Sequence, residues 1–224
     1  AWVFQLAGTD GSDTTRAAPL LANGIGHVTR ISGASSLGVR DAAELANTIQ
    51  RHLLEHTRLG IPAIVHEEIC SGLMAREATA FAQALGVAAT WRPEHNRAIA
   101  DAIRLQMRSI GAHQGLSPVL DICRDPRWGR LEETYGEDPL LVSRMGVEFV
   151  LGLQGPALTD GVIATIKHFV GYGASEGGMN WAPAHLPERE LRDVYLRPFE
   201  AAVREAGAAS VMNAYHELDG VPCA

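Results

Sequence analysis

Apolar runs of strand length recur along the chain and constrain its fold more than any other feature of the sequence. The runs do not alternate between apolar and polar residues, so they are typical of strands that are buried on both faces of a parallel sheet. The six runs are GIGHVTRI at 24–31, IPAIV at 61–65, GVAAT at 86–90, SPVLDI at 117–122, VIATI at 162–166 and ASVMNAY at 209–215.

Segments with the periodicity of amphipathic helices lie between these runs. In three of them apolar residues recur at every fourth position, which places each set on one face of a helix. The sets are Leu45, Ile49 and Leu53; Ile99, Ile103 and Met107; and Leu141, Met145 and Phe149. A further helix is predicted to begin at Pro187 and to kink near Pro198, because proline suits a first turn and interrupts an interior one.

Strands and helices therefore alternate along a chain whose 224 residues suit one large domain. This order predicts an α/β fold with right-handed crossovers, either a (β/α) barrel or an open doubly wound sheet. Neither GxGxxG nor GxxxxGKS/T follows any of the strands, which excludes the main nucleotide-binding versions of these folds.

The composition argues against two classes of partner. With 46% hydrophobic and 20% charged residues, the chain has the make-up of a soluble globular domain. Its net charge of −7 opposes attraction to nucleic acid or anionic lipid, and no apolar segment reaches the roughly 18 residues that would span a bilayer. We expect no nucleic-acid partner and no membrane partner, and the oligomeric state stays open.

Cysteine usage and the N-terminal residues bear on the compartment. Cys70, Cys123 and Cys223 show no CxxC or Cys/His ligand spacing, so free buried thiols are expected rather than a disulfide framework or a zinc site. The first residues, AWVFQLAGTDG, lack the basic start and continuous apolar stretch of a signal peptide. This favours the cytoplasm, but secretion stays open because the sequence reads as beginning inside a domain.

Polar clusters follow four of the apolar runs. They are His66-Glu67-Glu68, the segment from Asp121 to Arg130, Lys167-His168, and Asn213-Ala214-Tyr215. Polar groups that converge at the carboxyl ends of strands form the active site of a parallel barrel. Each cluster by itself is equally well explained as the place where a strand leaves the core, but four together indicate a site.

The motifs in and around these clusters resemble those of the family 3 glycoside hydrolases. The matching blocks, in chain order, are IPAIVHEEICSGLM at 61–74, GLSPVLDI at 115–122, RDPRWGRLEETYGEDP at 124–139, KHFVGYGASEGG at 167–178 and SVMNAYHELDGVPC at 210–223. The resemblance implies that residues 1–224 are part of an N-terminal (β/α)8 TIM-barrel-like domain, incomplete with about six βα units. It also implies a following α/β sandwich domain, retaining hydrolysis of β-glucosides or β-xylosides, and no metal or organic cofactor.

The same resemblance implies which side chains bind a small carbohydrate substrate. They are Glu68, Arg130, Lys167, His168 and Tyr215. A carboxylate such as Glu68 can accept hydrogen bonds from two hydroxyls of one ring, whereas Glu67 is expected to face elsewhere, since successive strand side chains alternate. The guanidinium of Arg130 can span two hydroxyls or brace a carboxylate such as Glu68.

Other residues of the motifs have a possible structural role as well as a possible functional one. Lys167 and His168 can donate to sugar hydroxyls, and the alternative for Lys167 is a buried ion pair. Arg124 and Asp125 are expected to pair and stabilise a loop, with Arg127 as a further brace. The two tryptophans of these blocks and their surroundings, Trp128 and Trp181, are either stacking platforms for a sugar or packing residues.

No catalytic carboxylate is assigned. Retaining hydrolysis needs two carboxyl groups about 5 Å apart, and the resemblance implies that the nucleophile follows the strand after Asn213–Tyr215, beyond Ala224, while the acid/base comes from the next domain. Asp121 and Glu133 do not hold the nucleophile's place. Met179 stands where many relatives have an arginine, which leaves the choice between glucoside and xyloside open.

Two other functions stay in competition with the glycosidase. One is a noncatalytic carbohydrate-binding or scaffolding protein. The other is an aldolase in which Lys167 forms a Schiff base with a carbonyl substrate, but that function leaves the RDPRWGR block unexplained.

Overall fold

A five-stranded parallel sheet forms the centre of the molecule. The computed structural model describes residues 17–224, so the AWVFQLAGTDG stretch lies outside the described residues. The strands are β1 (His27–Thr29), β2 (Ile64–Glu67), β3 (Gln114–Gly115), β4 (Ile163–Phe169) and β5 (Ser210–Asn213). Each strand pairs with the next one along the chain, and the sheet curls into a half-barrel. The predicted incomplete (β/α) barrel is therefore confirmed.

Helices connect the strands and cover one side of the sheet. They are α1 (Ala17–Leu21), α2 (Val39–His56), α3 (Ala84–Ala88), α4 (Pro93–Ser109), α5 (Pro139–Gln154), α6 (Glu188–Glu190) and α7 (Arg197–Ala206). Short 3₁₀ turns lie at Leu131–Glu133, Tyr172–Ala174 and Glu176–Gly178, and a two-stranded hairpin, β6 (Glu217–Leu218) and β7 (Val221–Pro222), follows β5. None of the helices within residues 17–224 is both long and apolar enough to cross a bilayer.

The predicted helical stripes form much of the core. Leu45, Ile49 and Leu53 of α2 are buried, as are Ile103 and Met107 of α4 and Met145 and Phe149 of α5. The helix predicted from Pro187 is interrupted before Pro198 by a π turn at Leu191–Tyr195, in which the Leu196 N–H donates to the Leu191 carbonyl at 2.9 Å. The expected kink is thus a π turn, with Pro198 in the first turn of α7.

Two of the six predicted strands differ in the structure. The GVAAT run is not a strand: its first residues belong to α3, because a short apolar run rich in alanine satisfies a helix as well as a buried strand. The SPVLDI run is extended, but the assigned strand β3 begins earlier, at Gln114. Pro118 has no N–H for the ladder, and the run pairs with β4 only around Val119 and Lys167, through backbone hydrogen bonds of Ser117, Pro118 and Leu120.

The end of the RDPRWGRLEETYGEDP block begins helix α5. The Asp138 side chain accepts a hydrogen bond from the Leu141 N–H at 2.7 Å, and Pro139 occupies the first helical turn. Both are favourable at a helix N-terminus, where several backbone N–H groups lack partners. This part of the motif is therefore structural and fixes where α5 starts.

Glu67 ties the end of β2 to the loop after β1. It is fully buried, and its two carboxylate oxygens accept hydrogen bonds from the Ser32 N–H at 2.7 Å and the Gly33 N–H at 3.1 Å. Burial raises the pKa of Glu67 to about 7, against the opposing effects of these hydrogen bonds and of Arg30. The expectation that Glu67 faces away from its neighbour Glu68 is confirmed.

Gly152 sets the distance between α4 and α5. A Cβ at this position would lie 2.6 Å from the Arg97 carbonyl oxygen and 2.9 Å from the Ala100 Cβ. We expect Gly152→Ala to lower the free energy of unfolding by about 1–2 kcal/mol through overpacking. Gly86→Ala in the exposed part of α3, where the nearest atom is 3.6 Å away, is the control and should be neutral or stabilise by up to about 1 kcal/mol. Urea unfolding measures both, and equal effects of the two changes would contradict the packing argument.

The raised pKa of Glu67 predicts a pH-dependent loss of stability. Between the unfolded value of 4.5 and the folded value of about 7 the folded state holds a proton that the unfolded state has released. The free energy of unfolding should therefore fall as the pH rises, by about 3 kcal/mol relative to Glu67→Gln between about pH 4 and pH 8. Unfolding curves of the two proteins across this range test it. If the free energies of unfolding of the two proteins change with pH in the same way, the pKa of Glu67 is not raised in the folded state.

Candidate functional site

Polar side chains from four segments meet at the carboxyl ends of the strands. Glu68 directly follows β2, Lys167 and His168 lie in the second half of β4, and Tyr215 follows β5. Arg130 comes from the loop that follows the 117–122 run. We call this set, together with the partners described below, the strand-end cluster.

The ion pair between Lys167 and Glu68 lies at the centre of the cluster. Lys167 Nζ is 3.0 Å from Glu68 Oε2, and the two residues are 99 positions apart. The Lys167 side chain is only 3% exposed, whereas that of Glu68 is 27% exposed. A buried ammonium group is tolerated only when it is paired, and Glu68 is that partner for Lys167 while its own side chain stays partly exposed.

Arg130 forms the second ion pair, with Glu133. Arg130 Nε and Nη2 donate to the two oxygens of Glu133 at 2.7 and 2.6 Å. Burial would raise the pKa of Glu133, but the hydrogen bonds and charge of Arg130, helped by Lys167 and His168, hold it below its ordinary value. The carboxylate that Arg130 braces is thus Glu133 rather than Glu68, because a separation of three residues within a 3₁₀ turn brings the two side chains together.

A buried carboxylate orients His168. Asp121 Oδ2 accepts hydrogen bonds from His168 Nδ1 at 2.8 Å and from the His168 backbone N–H at 3.1 Å. Because a carboxylate can only accept, the ring proton that meets Asp121 belongs on Nδ1. Nε2 is buried and has no hydrogen-bond partner among residues 17–224, so one polar atom of the ring is left unpaired.

Tyr172 connects the aromatic side of the cluster. Its ring makes edge contacts with Trp128 and His168, each at 5.1 Å between centroids, and stacks on His216 at 5.4 Å. Tyr215 lies 5.7 Å from both the His168 and the Tyr172 rings and is 56% exposed. Tyr215 therefore forms the accessible aromatic surface of the cluster.

The structure shows where the two tryptophans lie and which residues the loop arginines pair with. Trp128 is 2% exposed and packs against Tyr172, whereas Trp181 is 68% exposed. The predicted pair of Arg124 with Asp125 is wrong: Arg124 Nη1 lies 3.1 Å from Glu190 Oε1.

Asp125 pairs with Arg127 instead, which donates to it through both the backbone and the guanidinium. The hydrogen bonds from Arg127 lower the pKa of Asp125 to about 2. Arg127 therefore braces the loop, as expected, and Arg124 ties this loop to α6 instead.

Sequence reasoning missed several members of the cluster. Asp121 and Glu133 are not assigned a binding role from the sequence, yet each holds another site residue in place. The spacing of Arg130 and Glu133 within one turn was the signal for the second ion pair. Cys70 and Ser117, which are in contact at 3.3 Å, carried no such signal, because their contacts join segments far apart in the sequence.

An apolar cavity of about 430 Å³ lies elsewhere, on the outer side of β4 and β5. It is lined by side chains that include Phe169, Phe199 and Val211. None of the cluster residues lines this cavity, so its shape does not identify the chemical site. The polar contacts at the strand ends instead mark the candidate site.

Comparisons with known proteins identify relatives of this chain. A "Beta-xylosidase" from Formosa agariphila is 46% identical over 176 residues, which are 74% of this chain and 24% of that protein. A "Periplasmic beta-glucosidase/beta-xylosidase" from Dickeya chrysanthemi is 33% identical, over 85% of this chain and 31% of its own length.

Solved structures of β-glucosidases also resemble this chain. A β-glucosidase from Erythrobacter marinus superposes with a TM-score of 0.86 at 42% identity, covering 92% of this chain and 27% of that one. A β-glucosidase from Listeria innocua in complex with glucose superposes with a TM-score of 0.82 at 32% identity, covering 99% of this chain and 31% of that one. The chain thus spans about a quarter to a third of the length of these relatives.

The model of the glycosyl hydrolase family 3 N-terminal domain matches residues 3–224. The resemblance carried by the five sequence blocks is therefore confirmed, and the chain belongs to glycosyl hydrolase family 3 through its N-terminal domain.

Proposed function

We propose that the strand-end cluster is the sugar-binding subsite of a retaining β-glucosidase or β-xylosidase. The observation that carries the proposal is the meeting of the Lys167–Glu68 and Arg130–Glu133 ion pairs with His168 and Tyr215 at one end of the sheet. The names of the relatives, which are β-xylosidases and β-glucosidases, support it.

The charges of the cluster suit a neutral ligand. Glu68 and Glu133 are each matched by a cation, so the two ion pairs together carry no net charge. A neutral, hydroxyl-rich ligand can exchange hydrogen bonds with these groups without leaving a buried charge unpaired, whereas an ionic ligand would add one. This is the charge pattern expected of a site for an unmodified sugar.

Each member of the cluster keeps hydrogen-bonding capacity for a hydroxyl. The Lys167 ammonium has three N–H groups, and the hydrogen bond to Glu68 uses one. The partly exposed carboxylate of Glu68 can accept, His168 Nε2 is a buried polar atom without a partner among the described residues, and the exposed ring of Tyr215 offers an apolar face. Donors, acceptors and an aromatic surface together match one face of a pyranose.

The two carboxylates of the ion pairs are poorly suited to catalysis. Retaining hydrolysis needs one free nucleophilic carboxylate and one carboxyl acid about 5 Å apart, and both Glu68 and Glu133 are engaged by cations. We therefore place the nucleophile beyond Ala224 and the acid/base in a following domain of the whole protein. The residues of this chain bind and orient the sugar.

The same observation favours a noncatalytic sugar-binding protein as the second candidate, since a complete set of binding groups is present without an assigned catalytic pair. The Schiff-base reading of Lys167 is set aside, because the ammonium is paired with Glu68 and the family is that of glycoside hydrolases. An amine nucleophile needs a free, deprotonated nitrogen.

Glucose binding to the chain tests the subsite directly. Lys167 is the only lysine in the sequence, so a chain labelled with [¹⁵N]lysine gives one lysine amide signal from the cluster. We expect this signal to shift saturably with glucose or xylose. Isothermal titration calorimetry gives the affinity of each variant, including Lys167→Met, which has no lysine signal. Lys167→Met should weaken the affinity by about tenfold or more, because hydrogen bonds to a charged group are lost. Tyr215→Ala, at an exposed position, should also weaken it without affecting folding.

Arg189→Met is the matched control for that titration. It also replaces a cation by methionine, but at a side chain that is 93% exposed on α6. Its affinity for glucose should equal that of the unmodified chain. If neither sugar shifts the Lys167 signal, or if all three variants bind alike, the cluster is not a sugar subsite.

Hydrolysis by the chain itself tests the placement of the catalytic carboxylates. We expect no release of para-nitrophenol from the para-nitrophenyl β-glucoside or β-xyloside, since loss of the catalytic pair removes most of the rate enhancement. A full-length β-glucosidase of the family is the positive control. Turnover that a single Asp or Glu substitution within residues 1–224 abolishes would show that the nucleophile lies in this chain.

A further inference from the structure

Cys70 lies between the two ion pairs of the strand-end cluster. Its Sγ is 3.9 Å from Glu68 Oε2 and 3.8 Å from Glu133 Oε2, both within the range of a hydrogen bond to sulfur. These are the same two oxygens that accept Lys167 Nζ at 3.0 Å and Arg130 Nη2 at 2.6 Å. The thiol therefore contacts both ion pairs at the carboxylate oxygens that accept from Lys167 and Arg130.

Ser117 holds the thiol from a third segment. Its hydroxyl donates to Cys70 Sγ at 3.3 Å. Cys70 thus joins the loop after β2, the loop before β4 and the 3₁₀ turn at Leu131–Glu133. Glu68 and Glu133 come from different elements, the first directly after β2 and the second in the 3₁₀ turn.

The surroundings of Cys70 keep its proton in place. Burial is the main cause that raises the pKa of this thiol; Lys167 and Ser117 lower it, and Glu68 and Glu133 raise it with smaller effects. A thiolate here would add a third negative charge between two carboxylates. The neutral S–H can instead donate to one carboxylate at a time, and the large sulfur radius fills the space between them.

We propose that Cys70 is a positioning residue, whose thiol links the Lys167–Glu68 and Arg130–Glu133 ion pairs and sets their separation for one sugar ring. The part of this proposal that concerns the sugar rests on the proposed sugar subsite. The link between the two ion pairs does not rest on it and can be measured without any sugar. Cys70 itself does not need to touch the sugar.

Alkylation of the thiol tests the link without a sugar. In the unmodified chain, the rate at which iodoacetamide modifies Cys70 should have its pH midpoint above that of an ordinary thiol. Glu68→Gln and Glu133→Gln should each lower the Cys70 midpoint, because each removes one negative charge beside the sulfur. Peptide mass spectrometry follows Cys223 in the same samples as an internal reference. Its midpoint should not move, since its raised pKa comes from burial.

Two substitutions of Cys70 test the positioning. Cys70→Val keeps the volume and removes the donor, whereas Cys70→Ser keeps a donor. We expect Cys70→Val to weaken glucose binding by about tenfold and to shift the Lys167 ammonium signal, and Cys70→Ser to recover most of the affinity. Cys223→Val is the matched control and should leave both unchanged. Thermal unfolding of each variant separates local from global effects.

The outcomes separate this inference from the proposed function. If the unmodified chain binds no sugar, the subsite proposal fails, and the alkylation midpoints alone then decide whether Cys70 links the ion pairs. If Cys70→Val binds glucose as tightly as the unmodified chain, or if the Cys70 midpoint is the same in Glu68→Gln, Glu133→Gln and the unmodified chain, the positioning role is overturned.

Discussion

The buried ion pair between Lys167 and Glu68 is the constraint on which the rest of the site depends. It joins the end of β2 to the second half of β4 at 3.0 Å. Removing one partner of a buried pair costs about 3–5 kcal/mol, because the other charge is left without compensation. The sheet must therefore hold these two strand ends at a fixed distance, although they are 99 residues apart in sequence.

The choice of lysine at this position is informative in itself. The sequence contains one lysine, and all its other side-chain cations apart from histidine are arginines. An ammonium group is a compact charge with three donors that rotate freely, whereas a guanidinium is a planar fork. A planar fork suits Arg130, which meets both oxygens of Glu133. A compact donor suits Lys167, which uses one N–H for Glu68 and, in the proposed subsite, keeps its other N–H groups for the sugar.

The fold could be predicted from the sequence, because the signals for strands and helices are local. Much of the site could not be predicted, because its contacts join residues that are far apart in the sequence. Four apolar runs and the helical stripes identified the half-barrel, and GVAAT failed only because its length fits either state. Strand ends revealed Glu68, Lys167 and His168. The roles of Asp121 and Cys70 follow from contacts across 47 and 63 residues, to His168 and Glu133, that no spacing rule reports. Arg124 was assigned the wrong partner for the same reason, since Glu190 lies 66 residues away.

Strand β4 shows how one short sequence serves the core, the site and the outer surface. Regular alternation would send Lys167 and His168 to opposite faces, yet both are buried within the cluster. The register between β4 and β5 shifts between Ile166 and Phe169, and such an irregularity re-aims side chains. Ile166 stays in the core, whereas Phe169 is 41% exposed and packs edge-on against Phe199 of α7. The irregular register therefore allows two adjacent polar residues to enter one site, and the apolar residue after them then faces the helices.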